Sequence, residues 1–245
     1  MSASPARGIA FFDLDHTLVD GDSDTSFLDY LVEKGVVPRE ALDDKSDIHE
    51  AYMQGQPWQA EYRTLVARVW GGLDVRAIED LAQRHADERV LPILFAGARA
   101  LIEWERPRRI ELCLLTTTNQ IVVTPIARSL GLDHVLSTRL EIEQGRFTGR
   151  LVGDEFCTGP MKAVHLTARC EKLGVDLTDS AMYGDGRSDM EALAAVGQPH
   201  AVHPTEELKS VASSRAWPVL DLSAGLPFST PVQRQDAGTS QSSPE

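Results

Sequence analysis

The segment GIAFFDLDHTLVDGDSD, residues 8 to 24, places five aspartates directly behind an apolar run. Carboxylates this crowded repel one another and raise each other's pKa. They therefore need a countercharge, most simply a bound cation, or full exposure to water. In extended chain, alternate side chains share a face, so Asp13 and Asp15 point together while Leu14 turns to the core. A hard divalent cation such as Mg²⁺ relieves such a pair. The pair also permits divided labour, one ionised carboxylate attacking as a nucleophile while its neighbour exchanges a proton with a leaving group. Asp20, Asp22 and Asp24 read differently. A calcium loop begun at Asp20 needs Gly where Thr25 stands and Glu where Leu31 stands, so these three fit a solvated turn with a helix cap.

Three more stretches end apolar runs in polar chemistry. LCLLTTTNQ, residues 112–120, closes a strand with hydroxyls suited to anion oxygens, beside the N–H groups of a following helix; Thr clusters at strand ends also serve as plain caps. In TGPMKAVHL, residues 158–166, Lys162 falls near a helix N-terminus, where its charge opposes the dipole and is unfavourable unless it serves a ligand. The bland reading is a solvent-exposed lysine. AMYGDGRSDMEAL, residues 181–193, sets Asp185 and Asp189 behind another strand, with glycines that let backbone approach closely.

Strands and helices must hold these residues in place. The apolar run at residues 8–12 reads as a short buried strand, and the next comparable one is RIELCLLTTT, residues 109–118. Between them, apolar residues three and four apart predict helices over 24–35, 57–72 and 73–91, with Pro38 opening a further one. This makes an all-helical insertion after the first strand. Pro125 either opens or kinks the helix that ends near Gly131. Alternation around Gln144-Gly145 predicts a hairpin, followed by a helix over 160–174, a strand over 180–184, a helix over 188–196 and short strands over 199–203 and 217–220. Strands alternating with helices imply a mainly parallel α/β sheet. From Ser229 the chain is rich in Ser, Gln, Thr and Pro and reads as a disordered tail.

Composition narrows the partners. A net charge of −13 over 245 residues argues against nucleic acid or anionic membrane as a main partner, so an anionic substrate has to be captured by local positive charge. The three cysteines lack CxxC spacing, no signal peptide is evident and no run reaches a spanning length, so a reduced, cytoplasmic setting is expected. His200 and His203 form an isolated H-x-x-H, more often incidental than a metal pair. His16 is expected to shape its loop, and Trp58 and Trp70 to pack between helices or line an entrance.

Taken in order, Asp-x-Asp-x-Thr, strand-Thr, Lys and Gly-Asp-x-x-x-Asp resemble the haloacid dehalogenase-like (HAD) hydrolase superfamily from residue 8 to about 220, in the subfamily IB branch that contains phosphoserine phosphatases. The resemblance implies a Rossmann-like core over residues 1–19 and 93–228, a helical C1-type cap over 20–92 and a tail over 229–245. It implies Asp13 as the phosphorylated nucleophile, Asp15 as proton donor and then base, Thr116 and the Thr117 N–H on the phosphoryl group, and Lys162 neutralising charge. Mg²⁺ would be held by Asp13, the Asp15 carbonyl and Asp185, with Asp189 orienting metal waters or Lys162. Asp22 stands where the branch carries an acid that reads the substrate, and Arg63 or Arg68 is the candidate for its cap arginine. The implied activity is Mg²⁺-dependent hydrolysis of a small phosphorylated metabolite, phosphoserine first and histidinol phosphate second. Phosphoryl transfer to an alcohol and a non-enzymatic phospho-ligand sensor are the alternatives. The oligomeric state is left open.

Overall fold

The structure, a computed structural model, describes residues 8–225. The expected tail over 229–245 and the outermost residues of the expected core lie outside these. Six parallel strands form the central sheet in the order β3-β2-β1-β6-β7-β8: β1 (Ile9–Phe12), β2 (Glu111–Asn119), β3 (His134–Thr138), β6 (Ala181–Gly184), β7 (Gln198–Val202) and β8 (Val219–Leu220). All four β1 residues are fully buried, as a central parallel strand covered on both faces requires. Strand order runs outward in both directions from β1, so the crevice beyond the carboxyl ends of β1 and β6 is the switch point where open α/β sheets bind ligands.

Helices cover both faces. Ala10 and Phe12 face α5 (Ala98–Glu105) and α6 (Gln120–Ser129), whereas Ile9 and Phe11 face α7 (Pro160–Leu173), α8 (Met190–Ala195) and α9 (Glu206–Ser214). Between β1 and α5 the chain inserts four further helices: α1 (Ser23–Glu33), α2 (Lys45–Met53), α3 (Gln59–Trp70) and α4 (Val75–His85). The chain leaves for this insertion and returns side by side, through the Val19–Leu94 bridge and the Asp20 N–H bonded to the Ile93 carbonyl at 2.8 Å. The hairpin of β4 (Leu140–Glu143) and β5 (Arg146–Leu151) turns at Gln144 and Gly145, both at positive φ, the conformation a two-residue primed turn demands. Although it follows β3, the hairpin packs on the insertion: Phe147 meets Trp70 edge-on at 5.3 Å, and a Cβ on Gly149 would come within 3.0 Å of the Ala67 Cα.

One proline departs from expectation, and a second takes the inner of its two expected places. Pro38 opens no α-helix; it precedes a 3₁₀ turn over Arg39–Leu42, and α2 begins only at Lys45. Pro125 lies inside α6 and does not open it, because the Asn119 side chain caps the helix further upstream by accepting from the N–H groups of Ile121 and Val122. Among the described residues no helix is long and apolar enough to cross a membrane.

Candidate active site

Asp13 directly follows β1, and its N–H bonds the Tyr183 carbonyl of β6 at 2.9 Å, which holds it over the switch point. The chain then doubles back: the N–H groups of Thr17, Leu18 and Val19 all reach the Leu14 carbonyl, and His16 adopts φ of 59°. This turn returns Asp15 to the same cavity as Asp13. Both Asp15 oxygens are clamped, one by the Ser23 N–H and the other by the Thr118 hydroxyl, each at 2.7 Å.

Lys162 is the third residue of α7 and only 1% exposed, so the bland expectation of a solvated lysine fails. Its Nζ donates to Asp13 Oδ1 at 2.8 Å and to Asp189 Oδ1 at 2.6 Å. The second Asp189 oxygen accepts from the N–H groups of Asp185 and Gly186 at 3.1 and 3.3 Å. Asp189 thereby ties the Lys162 ammonium to the loop that carries Asp185. That loop closes because residue 184 is Gly: a Cβ there would stand 2.5 Å from the Asp189 Cγ.

The charges do not balance. Carboxylate oxygens of Asp13, Asp185 and Asp189 lie within 4.8 Å of one another, against one ammonium. Burial pushes Asp13 up to about 6, with Lys162 pulling it down and Asp189 pushing it further up. Asp185 is held well above the ordinary carboxylate range by burial, then by Asp189 and Asp13. Asp15 is likewise raised by burial, Asp22 and Asp13. Burial works against the Lys162 charge, yet Asp13 and Asp189 keep its pKa well above the usual lysine value. Asp189 commits one oxygen to Lys162 and the other to two N–H groups, whereas Asp13 Oδ2 and Asp185 Oδ1 accept only long bonds from the Thr17 hydroxyl, at 3.5 and 3.4 Å, and offer hard oxygens with excess negative charge between them. Such a donor set fits Mg²⁺.

The cavity above these groups encloses about 840 Å³. Thr116 and Thr117 line it; Thr116 is 1% exposed, and the Thr117 hydroxyl is buried without a hydrogen-bond partner. Asp22 and Arg63 also line it. Asp22 caps α1 by accepting from the Thr25 N–H at 2.6 Å and lies 3.4 Å from His49 Nδ1, while the Arg63 guanidinium sits 4.9 Å from the centre of the Phe156 ring. Arg68 is elsewhere: it bonds the Ala41 carbonyl at 2.8 Å and pairs with Asp44, because the helical period turns it away from the face that carries Arg63. The solvated-turn expectation also fails for Asp24. Its carboxylate accepts from the Tyr62 hydroxyl at 2.5 Å and from Asn119 Nδ2 at 2.8 Å, and burial raises it to about 6.

The histidines of H-x-x-H stack on separate rings, His200 on Tyr183 at 4.6 Å and His203 on Phe95 at 4.0 Å. Trp70 is buried against Phe27 and Phe147, and Trp58 lines the cavity. Sequence reasoning missed Thr118 as the clamp on Asp15, although the strand period puts it on the same face as Thr116. It also missed Tyr52, Tyr62 and Asn119, whose positions depend on how the insertion docks.

Known proteins resemble the chain in sequence and fold. The chain is 28% identical to a histidinol-phosphatase of Neisseria meningitidis, covering 88% of this chain and 99% of that protein. It is 30% identical to the phosphoserine phosphatase SerB1 of Mycobacterium tuberculosis, over 86% and 70% of the two chains. Among solved structures, a Bordetella pertussis protein of unknown function superposes with a TM-score of 0.78 at 30% identity, covering 89% of this chain and 99% of that one. The profile of the haloacid dehalogenase-like hydrolase family matches residues 10–194. With Asp13, Thr116, Lys162 and Asp185 all inside that span, the chain belongs to the haloacid dehalogenase-like hydrolase family.

Proposed function

We propose that the protein is a Mg²⁺-dependent phosphomonoesterase acting on a small phosphorylated amino alcohol through an aspartyl-phosphate on Asp13. The Lys162 bridge between Asp13 and Asp189, beside a clamped Asp15, is the observation that carries this reading. Asp13, ionised above about pH 6, attacks phosphorus; its Oδ–P bond forms as the P–O bond to the alcohol breaks. Asp15, whose pKa burial and then Asp22 and Asp13 push well above the ordinary carboxylate range, gives a proton to the departing alcohol oxygen. As a carboxylate it then accepts a proton from the water that hydrolyses the intermediate. Lys162 fixes the attacking oxygen and offsets charge that builds up on the phosphoryl group, with Thr116 and the Thr117 N–H as hydrogen-bonding partners for its oxygens. Asp13, Asp185 and the Asp15 carbonyl would hold Mg²⁺, which would supply the further positive charge that lets a carboxylate approach an anionic ester.

Residues 20–92 act as the cap in this reading, supplying Asp22 and Arg63 to the organic part of the substrate. The cavity volume and its ring walls, Tyr52, Trp58, Tyr62 and Phe156, favour a substrate with a flat cationic group such as histidinol phosphate over phosphoserine. The deciding experiment is a panel of phosphorylated amino acids, amino alcohols and sugars with Mg²⁺, repeated after chelation. Turnover concentrated on amino alcohols, abolished by chelation and restored by Mg²⁺, is expected; undiminished metal-free activity contradicts the scheme.

A further inference from the structure

Tyr52 lies in the last turn of α2, well away from every motif that carries the chemistry, yet it lines the same cavity as Asp13, Thr117 and Ser188. Its ring is wedged edge-on against Trp58, with centroids 5.3 Å apart, and Trp58 in turn meets Phe156 of the core at 4.8 Å. The rings therefore hold the Tyr52 phenol against the sheet side of the cavity. Burial raises its pKa to about 12, against the opposing pull of Lys162 and the neighbouring hydroxyls of Ser188 and Thr117, so it is a proton-bearing donor across the working pH range. The Thr117 hydroxyl beside it is buried and has no hydrogen-bond partner. Two hydroxyls from opposite sides of the cavity thus converge beside the nucleophile and its lysine.

We infer that Tyr52 is a further catalytic residue, whose hydroxyl donates a hydrogen bond to a non-bridging oxygen of the transferring phosphoryl group, alongside Thr116 and Thr117 at the carboxyl end of β2. This rests on the phosphatase reading above. No proton leaves Tyr52: the Asp13–P bond forms, the P–O bond to the alcohol breaks, and the proton on the alcohol comes from Asp15. Because the donor rides on the insertion, the full set of hydrogen bonds to the phosphoryl group exists only while α2 is seated against the sheet. Docking of the insertion is thereby coupled to chemistry as well as to substrate choice.

The test uses p-nitrophenyl phosphate, whose leaving group carries no amine, so a loss reports contact with the phosphoryl group. Tyr52→Phe keeps the ring on Trp58 and is expected to lower kcat by about tenfold to a hundredfold with little change in KM, and to weaken inhibition by orthovanadate by a similar factor. Tyr52→Met serves the same purpose should the Phe variant fail to fold. Native melting with unchanged kcat in either variant overturns the role. So does a rise in KM alone, which places Tyr52 on the organic part of the substrate. Asp13→Asn run in parallel separates the two levels: if it retains turnover, the phosphatase reading falls and the Tyr52 role with it.

Discussion

Two clusters of buried charge sit on the same sheet, and they are built to opposite specifications. Around Arg109, every guanidinium nitrogen is engaged: Nε and Nη2 reach Glu105 at 2.5 and 3.2 Å, Nη1 reaches the Asp179 carbonyl at 2.6 Å, and Nη2 also reaches Gln198 at 2.7 Å. The Tyr183 hydroxyl completes the set by donating to Glu105. One cation meets one carboxylate, and Glu105 is fully buried. Around Lys162, three carboxylates meet one ammonium, two of them are pushed upward in pKa, and a large cavity opens above. A balanced, closed cluster locks strands to a helix. An unbalanced, open one leaves excess negative charge facing a cavity, which the proposed cation would offset.

That contrast is sharpest in paired substitutions. Asp13→Asn is expected to cost a thousandfold or more in kcat, about the scale that follows loss of a nucleophile, while leaving melting unchanged or raised, since it removes one of three crowded carboxylates. Steady-state kinetics and calorimetry on the same preparation check both halves. Glu105→Gln should do the reverse: turnover stays within about twofold, and stability falls by about 3 kcal/mol because the Arg109 charge loses its buried counterion. Comparable activity loss in both variants would erase the distinction.

The smallest effect concerns Asp24, which belongs to neither cluster and bridges the insertion to the sheet through Tyr62 and Asn119. Its folded pKa of about 6 exceeds the unfolded carboxylate value of 3.8. The folded state therefore holds the proton to higher pH, and the associated stability is present below the unfolded value and lost as pH rises through about 6. Relative to Asp24→Asn, the wild type should lose on the order of 2 kcal/mol between about pH 4 and 7, read from denaturant titrations at several pH values. A constant difference across that range contradicts the burial of this carboxyl.

Legibility in the sequence follows the same division. Strand ends were readable, because a short apolar run that stops in Asp, Thr or Gly-Asp announces both its element and the face its polar residues share; Asp13, Thr116 and Asp185 all came from that rule. Lys162 was readable only as one member of the ordered set, since nothing local distinguishes a lysine at a helix start from a solvated one. The insertion wall was mostly opaque. Tyr52 and Tyr62 look like ordinary amphipathic-helix residues, and what gives them a place in the site is the docking of α2 and α3 through Trp58 and Phe156. Arg63 and Arg68 show the limit plainly: both sit on α3, and only packing reveals that one lines the cavity while the other is tied to Asp44. Pro125 stayed ambiguous for a related reason, because the start of α6 is set upstream of it by the Asn119 cap.

In the proposed mechanism Asp13 carries the phosphoryl group briefly, and trapping tests that most directly. Enzyme mixed with excess phosphorylated substrate and Mg²⁺, quenched in acid within the first turnovers and mapped by peptide mass spectrometry, should carry one phosphoryl group on the peptide that contains Asp13. The same experiment with Asp13→Asn should show none. Phosphate on another residue, or turnover with no phosphorylated peptide in the wild type under conditions that trap aspartyl-phosphates, would contradict it.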